Sequence, residues 1–118
     1  MDMYQQNIID HYKNPTNSGK IVDASYTKHI ANTTCGDEIT IYVLLDGEII
    51  KDIKFEGSGC AISMASSDIL FESLKGTSIS ELPNITLQSI EKLLGISISP
   101  ARHKCALLGL DGLRLIEK

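Results

Sequence analysis

"DEITIYVLLDGEIIKDIKFE", residues 37 to 56, decides the fold. Ile39, Ile41, Val43 and Leu45 recur at every second position, the period of a strand with one buried face. Asp46-Gly47 is the dipeptide favoured in a type I′ hairpin turn. Beyond it, Ile49, Ile53 and Phe55 fall on one face of a returning strand. The two runs form a hairpin whose apolar face needs a cover.

The cover is expected to be helical. "AISMASSDILFESLK", residues 61 to 75, places Ile62, Ala65 and Ile69 on one helical face with Leu70 and Leu74 beside it. Gly76 follows where a C-cap glycine would sit. "TLQSIEKLLG" reads as a shorter helix ending at Gly95. Ser99-Pro100 reads as an N-cap followed by proline at the first helical position, opening a last helix toward Lys118. Upstream, "MYQQNIIDHY" spaces Tyr4, Ile8 and Tyr12 on one face of a helix. Pro15 and Gly19 stop it. A first strand is expected near residues 26 to 33. The order is helix, three strands, then helices. The fold class is α+β: a small three-stranded antiparallel sheet with helices packed on one face.

The chain has 118 residues, expected to form one domain over residues 1 to 118. The formal net charge of -4 speaks against a nucleic-acid partner, which would demand a basic face. The opening "MDMYQQNIIDHYKN" carries charges throughout, and no apolar run is long enough to span a bilayer. Neither a secretory leader nor a membrane partner is therefore expected, and a cytoplasmic location is. Thiols stay reduced there, so the three cysteines are core residues or chemistry rather than a disulfide framework.

Each cysteine falls at a seam between elements. Cys35 lies between the first strand and the hairpin, Cys60 where strand gives way to helix, and Cys105 near the start of the last helix. No two are close enough for a local CxxC unit, so any site must be assembled by the fold. A buried cysteine often packs as a small hydrophobe. Against that, Gly36 follows Cys35, while Gly57 and Gly59 precede Cys60. Glycines there let the backbone turn tightly or approach a ligand. Asp37, two residues after Cys35 in extended chain, can aim at the same point. Three thiolates and this carboxylate would complete a tetrahedral zinc site, and they would equally suit an iron–sulfur cluster. Asp37 as a solvated turn residue is the plainer alternative. Arg102 and Lys104 flank Cys105 and either stabilise its thiolate or lie on the surface. On a helix, residues two apart point about 200° from one another, so His103 could join Cys105 only in an extended approach. His11 and His29 have no motif around them.

Together, "YQQNIIDHYKNPTNSG" at 4 to 19, "CGD" at 35 to 37, "GSGCAISMASSDILFE" at 57 to 72 and "RHKCALL" at 102 to 108 resemble the iron–sulfur cluster scaffold proteins of the IscU, NifU N-terminal and SufU type. The resemblance covers nearly the whole chain and implies the SufE/NifU-like α+β fold. It matches Cys35, Cys60 and Cys105 to the family's three essential cysteines. Asp37 matches the aspartate that ligates zinc or keeps a bound cluster labile. Arg102 matches a basic position. It also implies a cysteine desulfurase as sulfur donor, iron–sulfur apoproteins as recipients, and zinc or a transient [2Fe–2S] cluster on Cys35, Asp37, Cys60 and Cys105. Cys105 is the expected persulfide acceptor, with Cys35 as the alternative.

Four departures carry information. Lys104 stands where IscU-like members place a histidine, which leans toward the SufU branch, the zinc-bound sulfur acceptors. The stretch between Gly76 and Arg102 is too short for the insertion usual in that branch. "SISPAR" replaces the proline-rich chaperone-recognition segment, which speaks against a specialised Hsp70 partner, and Thr16 replaces the family's arginine. The competing readings are a structural zinc module without sulfur traffic and, last, a cysteine hydrolase, which lacks a convincing His/Asp pair.

Overall fold

In the computed structural model of the protein, residues 3–33 and 36–116 are described. The elements are helix α1 (Met3–Lys13), strands β1 (Tyr26–Asn32), β2 (Asp37–Asp46) and β3 (Ile49–Ser58), helix α2 (Ala61–Leu74), helix α3 (Leu87–Leu94) and helix α4 (His103–Ile116). Single 3-10 segments at Ile79–Asn84 and Pro100–Arg102 precede α3 and α4. The strands form one antiparallel sheet in the order β1-β2-β3.

Alternation in β2 does what its pattern predicts. Asp37, Ile39, Ile41 and Val43 are buried on one face, and the residues between them are not. The turn differs from expectation. Asp46 pairs with Ile49, so the two-residue loop is Gly47-Glu48, and only Gly47 takes a positive φ, of 65°. A type I′ turn would need positive φ at both central positions.

The returning strand also departs from simple alternation. Leu44 pairs with Asp52 but Leu45 pairs with Ile50, leaving Lys51 as an extra residue in β3. Such a bulge shifts the facing of every residue before it by one. Ile50 is therefore buried at 1% exposure, while Ile49, expected on the inner face, is 43% exposed. Ile53 and Phe55 lie inside as predicted.

Helix α2 is the centre of the molecule. It touches α1, α3, α4 and β3, and it is buried continuously from Ser63 to Phe71 and again at Leu74. A helix covered on all sides needs no polar face, which is why a single-face reading of residues 61 to 75 was too narrow. Phe71 meets Phe55 edge-on, with centroids 5.5 Å apart and planes at 79°. Such a pair contributes roughly 0.5–1.5 kcal/mol beyond its buried area. At its C-terminus the chain bends back onto β3: Gly76 donates its amide to the Ile50 carbonyl, and Ile50 donates to Thr77. In α1, Ile8 is buried but Tyr12 is largely exposed.

Helix α3 begins with a capping box between Thr86 and Ser89 and ends at Gly95 in the left-handed conformation, φ 77°. Ser99 makes no side-chain cap, and proline opens a 3-10 turn that leads into α4. Helix α4 lies against the sheet and α2 through two glycines. A Cβ on Gly109 would stand 2.7 Å from the Ser67 hydroxyl, and one on Gly112 would stand 2.5 Å from Ile41 Cδ1. This close approach sets the depth of Cys105, one turn before Gly109.

Candidate metal centre

Strand alternation builds the first wall of the site. The parity that buries Ile39 and Ile41 also carries Asp37 to the inner face, where it is 1% exposed. A buried carboxylate needs donors. Its Oδ1 accepts the Cys60 amide at 2.9 Å, and its Oδ2 accepts the Ser63 hydroxyl at 2.5 Å. Gly59 makes room, since a Cβ there would stand 2.6 Å from Asp37 Oδ1.

Cys60 is the N-cap of α2, in extended backbone, and its sulfur accepts from the Ser63 amide at 3.4 Å. The Ser63 hydroxyl lies 3.5 Å from the same sulfur. Burial is the largest influence on the thiol and pushes its pKa up. The Ser63 hydroxyl and amide, helped by Cys105, outweigh burial and the nearby Asp37 charge, and hold the pKa below the ordinary thiol value. Cys105 enters from α4 and is wholly buried.

Asp37, Cys60 and Cys105 thus converge from a strand, a cap and a helix. One ligand atom from each lies within 4.8 Å of the others, and Cys60 Sγ is 4.0 Å from Asp37 Oδ2. Neighbouring ligand atoms of a tetrahedral zinc site with sulfur and oxygen donors lie about 3.5–3.8 Å apart. The set fits a metal with a contraction of roughly 1 Å. Cys35 lies outside the described residues. Arg102 is exposed, and its guanidinium pKa is pushed up, first by the Cys60 charge, then by a hydrogen bond with Cys60 and by the Cys105 charge. Of the two basic residues flanking Cys105, Arg102 therefore faces the sulfurs, while Lys104 is exposed beside Ile30, Asn32 and Asp111.

His103 is helical, and its Nε2 donates to the Ile98 carbonyl at 3.0 Å. It closes the turn into α4, and the extended approach that would bring it beside Cys105 does not occur.

Two features escaped sequence reading. Ser63 was one; its signal was the position three residues after an N-cap, where a side chain reaches back to the cap. The other is Asp68, fully buried on α2. It accepts His11 Nδ1 at 2.5 Å, the Thr16 amide at 3.0 Å, the Asn17 amide at 2.8 Å and the Asn17 side-chain amide at 3.1 Å. These bonds fasten α1 and the following loop to the helix that begins at Cys60. An aspartate inside an apolar helical run was the available clue.

Residues 3–115 match the sequence profile of the NifU-like N terminal domain. The chain belongs to that family. Among relatives of this NifU-like domain, the zinc-dependent sulfurtransferase SufU of Bacillus subtilis (strain 168) is 41% identical over 128 aligned positions, covering 94% of this chain and 86% of the relative. That alignment is longer than the 118-residue chain, so SufU carries residues with no counterpart here. The iron–sulfur cluster assembly scaffold protein IscU 1 of Archaeoglobus fulgidus is 38% identical over 112 positions, covering 95% of this chain and 72% of the relative. A candidate SUF-system scaffold from Fervidobacterium islandicum AW-1 superposes with a TM-score of 0.80 at 32% identity, covering 98% of this chain and 94% of that one. The α+β fold expected for the NifU-like domain is the fold observed. Among the described residues no helix is long and apolar enough to cross a membrane.

Proposed function

We propose that this NifU-like protein acts in cytoplasmic iron–sulfur cluster biogenesis, as scaffold or sulfur carrier receiving persulfide sulfur from a cysteine desulfurase. The observation that carries the reading is the convergence of Asp37, Cys60 and Cys105 from three elements. Cys35, two residues before Asp37, would supply the fourth ligand. These residues would hold zinc in the resting protein or a transient [2Fe–2S] cluster as cargo, and apoproteins would receive the product. Bound zinc would keep the thiols deprotonated and shield them from oxidation.

The chain's own residues would then carry out the sulfur step. A scaffold thiolate attacks the outer sulfur of the desulfurase persulfide. A new sulfur–sulfur bond forms, the donor's bond breaks, and the donor cysteine leaves as thiolate. Cys105 is the proposed acceptor, with Cys35 as the alternative. Because Cys105 is wholly buried, its sulfur must be uncovered before it can attack. Arg102, facing both sulfurs from the surface, would stabilise the anion as it is exposed.

The burial of Cys105 equally favours a second reading, a structural zinc module without sulfur transfer. Anaerobic purification followed by zinc, iron and sulfide determination tests the metal. Incubation with a cysteine desulfurase and cysteine then separates the readings. Faster desulfurase turnover and a persulfide on this protein support the carrier; neither, in a zinc-loaded protein, supports the structural module.

A further inference from the structure

Ser63 is fully buried at the third position of α2, with no exposed surface of its own. Its hydroxyl donates to Asp37 Oδ2 at 2.5 Å and lies 3.5 Å from Cys60 Sγ. Its amide is the donor to that sulfur at 3.4 Å. One residue therefore touches both a carboxylate from β2 and a thiol at the helix cap. An aspartate has a staggered χ1 but a broad χ2, so in a buried site hydrogen-bond donors set the direction of its carboxylate. The Cys60 amide holds Oδ1, while Oδ2 receives the Ser63 hydroxyl at 2.5 Å and the much longer Cys60 Sγ contact at 4.0 Å. Without that hydroxyl, Oδ2 would keep only the 4.0 Å Cys60 Sγ contact to set its direction.

We infer that Ser63 is a positioning residue for the metal centre: its hydroxyl aims the Asp37 carboxylate at the Cys60 and Cys105 sulfurs. The inference rests on the metal reading given above. Its chemistry is that of a hydrogen bond to a ligating carboxylate. Such a bond leaves the oxygen's other lone pair for the metal and removes the need to order the side chain on binding. Removing partners of this kind typically lowers metal affinity by about 10–100-fold.

The test is a zinc competition titration against a chromophoric chelator, with Co²⁺ substitution as a second readout. Ser63→Ala should weaken Zn²⁺ binding by about tenfold or more. Sulfur-to-cobalt charge-transfer absorption should persist, while the ligand-field bands shift because the carboxylate is displaced. In an Asp37→Ala background, Ser63→Ala should cause no further loss, since the hydroxyl then has no carboxylate to aim. Far-UV circular dichroism establishes that each variant is folded. Unchanged zinc affinity and cobalt spectrum in folded Ser63→Ala would overturn the inference. So would an equal loss in the Asp37→Ala background, which would place the effect at Cys60 or in packing. If the parent protein binds neither metal, the metal reading itself fails, a result distinct from both.

Discussion

Asp37 and Cys60, 23 positions apart in the chain, are joined by the hydrogen bond that the Cys60 amide donates to the Asp37 carboxylate at 2.9 Å. The bond ties the start of the central strand to the cap of the central helix. Two candidate ligands are thus held together by the same contact that joins two structural elements, so metal binding there would be coupled to stability.

Asp37→Ala should show that coupling. It removes the acceptor for the Cys60 amide and for the buried Ser63 hydroxyl. Leaving a buried donor unsatisfied costs about 1–3 kcal/mol. Urea unfolding of the metal-free protein should show a lower midpoint, and zinc should restore less stability than in the parent. In the scaffold reading, a reconstituted cluster on this variant should decay more slowly in visible absorbance.

Gly59→Ala tests the space beside the carboxylate. The added Cβ would lie 2.6 Å from Asp37 Oδ1, so Asp37 must move. Overpacking of this kind costs about 1–3 kcal/mol. The expected result is a folded protein with weakened zinc affinity, read by chelator competition. Zinc affinity equal to the parent would show that Asp37 is not held where the ligand set needs it.

Gly109→Ala separates helix propensity from packing. In an open helix the change would add about 1 kcal/mol of stability. Here the Cβ meets the Ser67 hydroxyl at 2.7 Å and Phe71 at 3.1 Å. The clash should exceed the propensity gain and lower stability by about 1–2 kcal/mol. Because α4 must then rise from α2, Cys105 should also become more reactive toward a thiol reagent in the metal-free protein.

Asp68→Ala removes the acceptor shared by His11, Thr16 and Asn17. Each buried donor left unsatisfied costs about 1–3 kcal/mol. Hydrogen exchange should show α1 and residues 14 to 19 opening first. Protection in β2 and β3 should fall by the global amount alone.

The pH behaviour of Cys60 follows from its environment. Burial raises the thiol pKa most strongly among single influences, yet the bonds from Ser63 bring the net value below ordinary. A thiol whose folded pKa lies below its unfolded value adds stability above the unfolded pKa and loses it as pH falls through the folded one. In the metal-free protein, alkylation of Cys60 should therefore reach half its maximal rate below the pH of a model thiol.

Much of this molecule is written in local spacing. Alternation at Ile39, Ile41 and Val43 determined a strand and its inner face, because successive residues on a strand point to opposite sides. Thr86 and Gly95 bounded α3, because capping and left-handed backbone are properties of a few neighbouring residues. The three cysteines and Asp37 were legible as a possible ligand set from residue type and from the glycines around them. Tertiary structure decided the rest. The bulge at Lys51 turned Ile50 inward and Ile49 outward, a choice set by pairing with β2. His103 was committed to the Ile98 carbonyl once the chain entered α4 by a 3-10 turn. Ser63 and Asp68 acquired their roles only when elements 26 and 51 to 57 positions away supplied their partners. A buried carboxylate is stable only where donors from elsewhere reach it, and spacing within one segment carries no record of those donors.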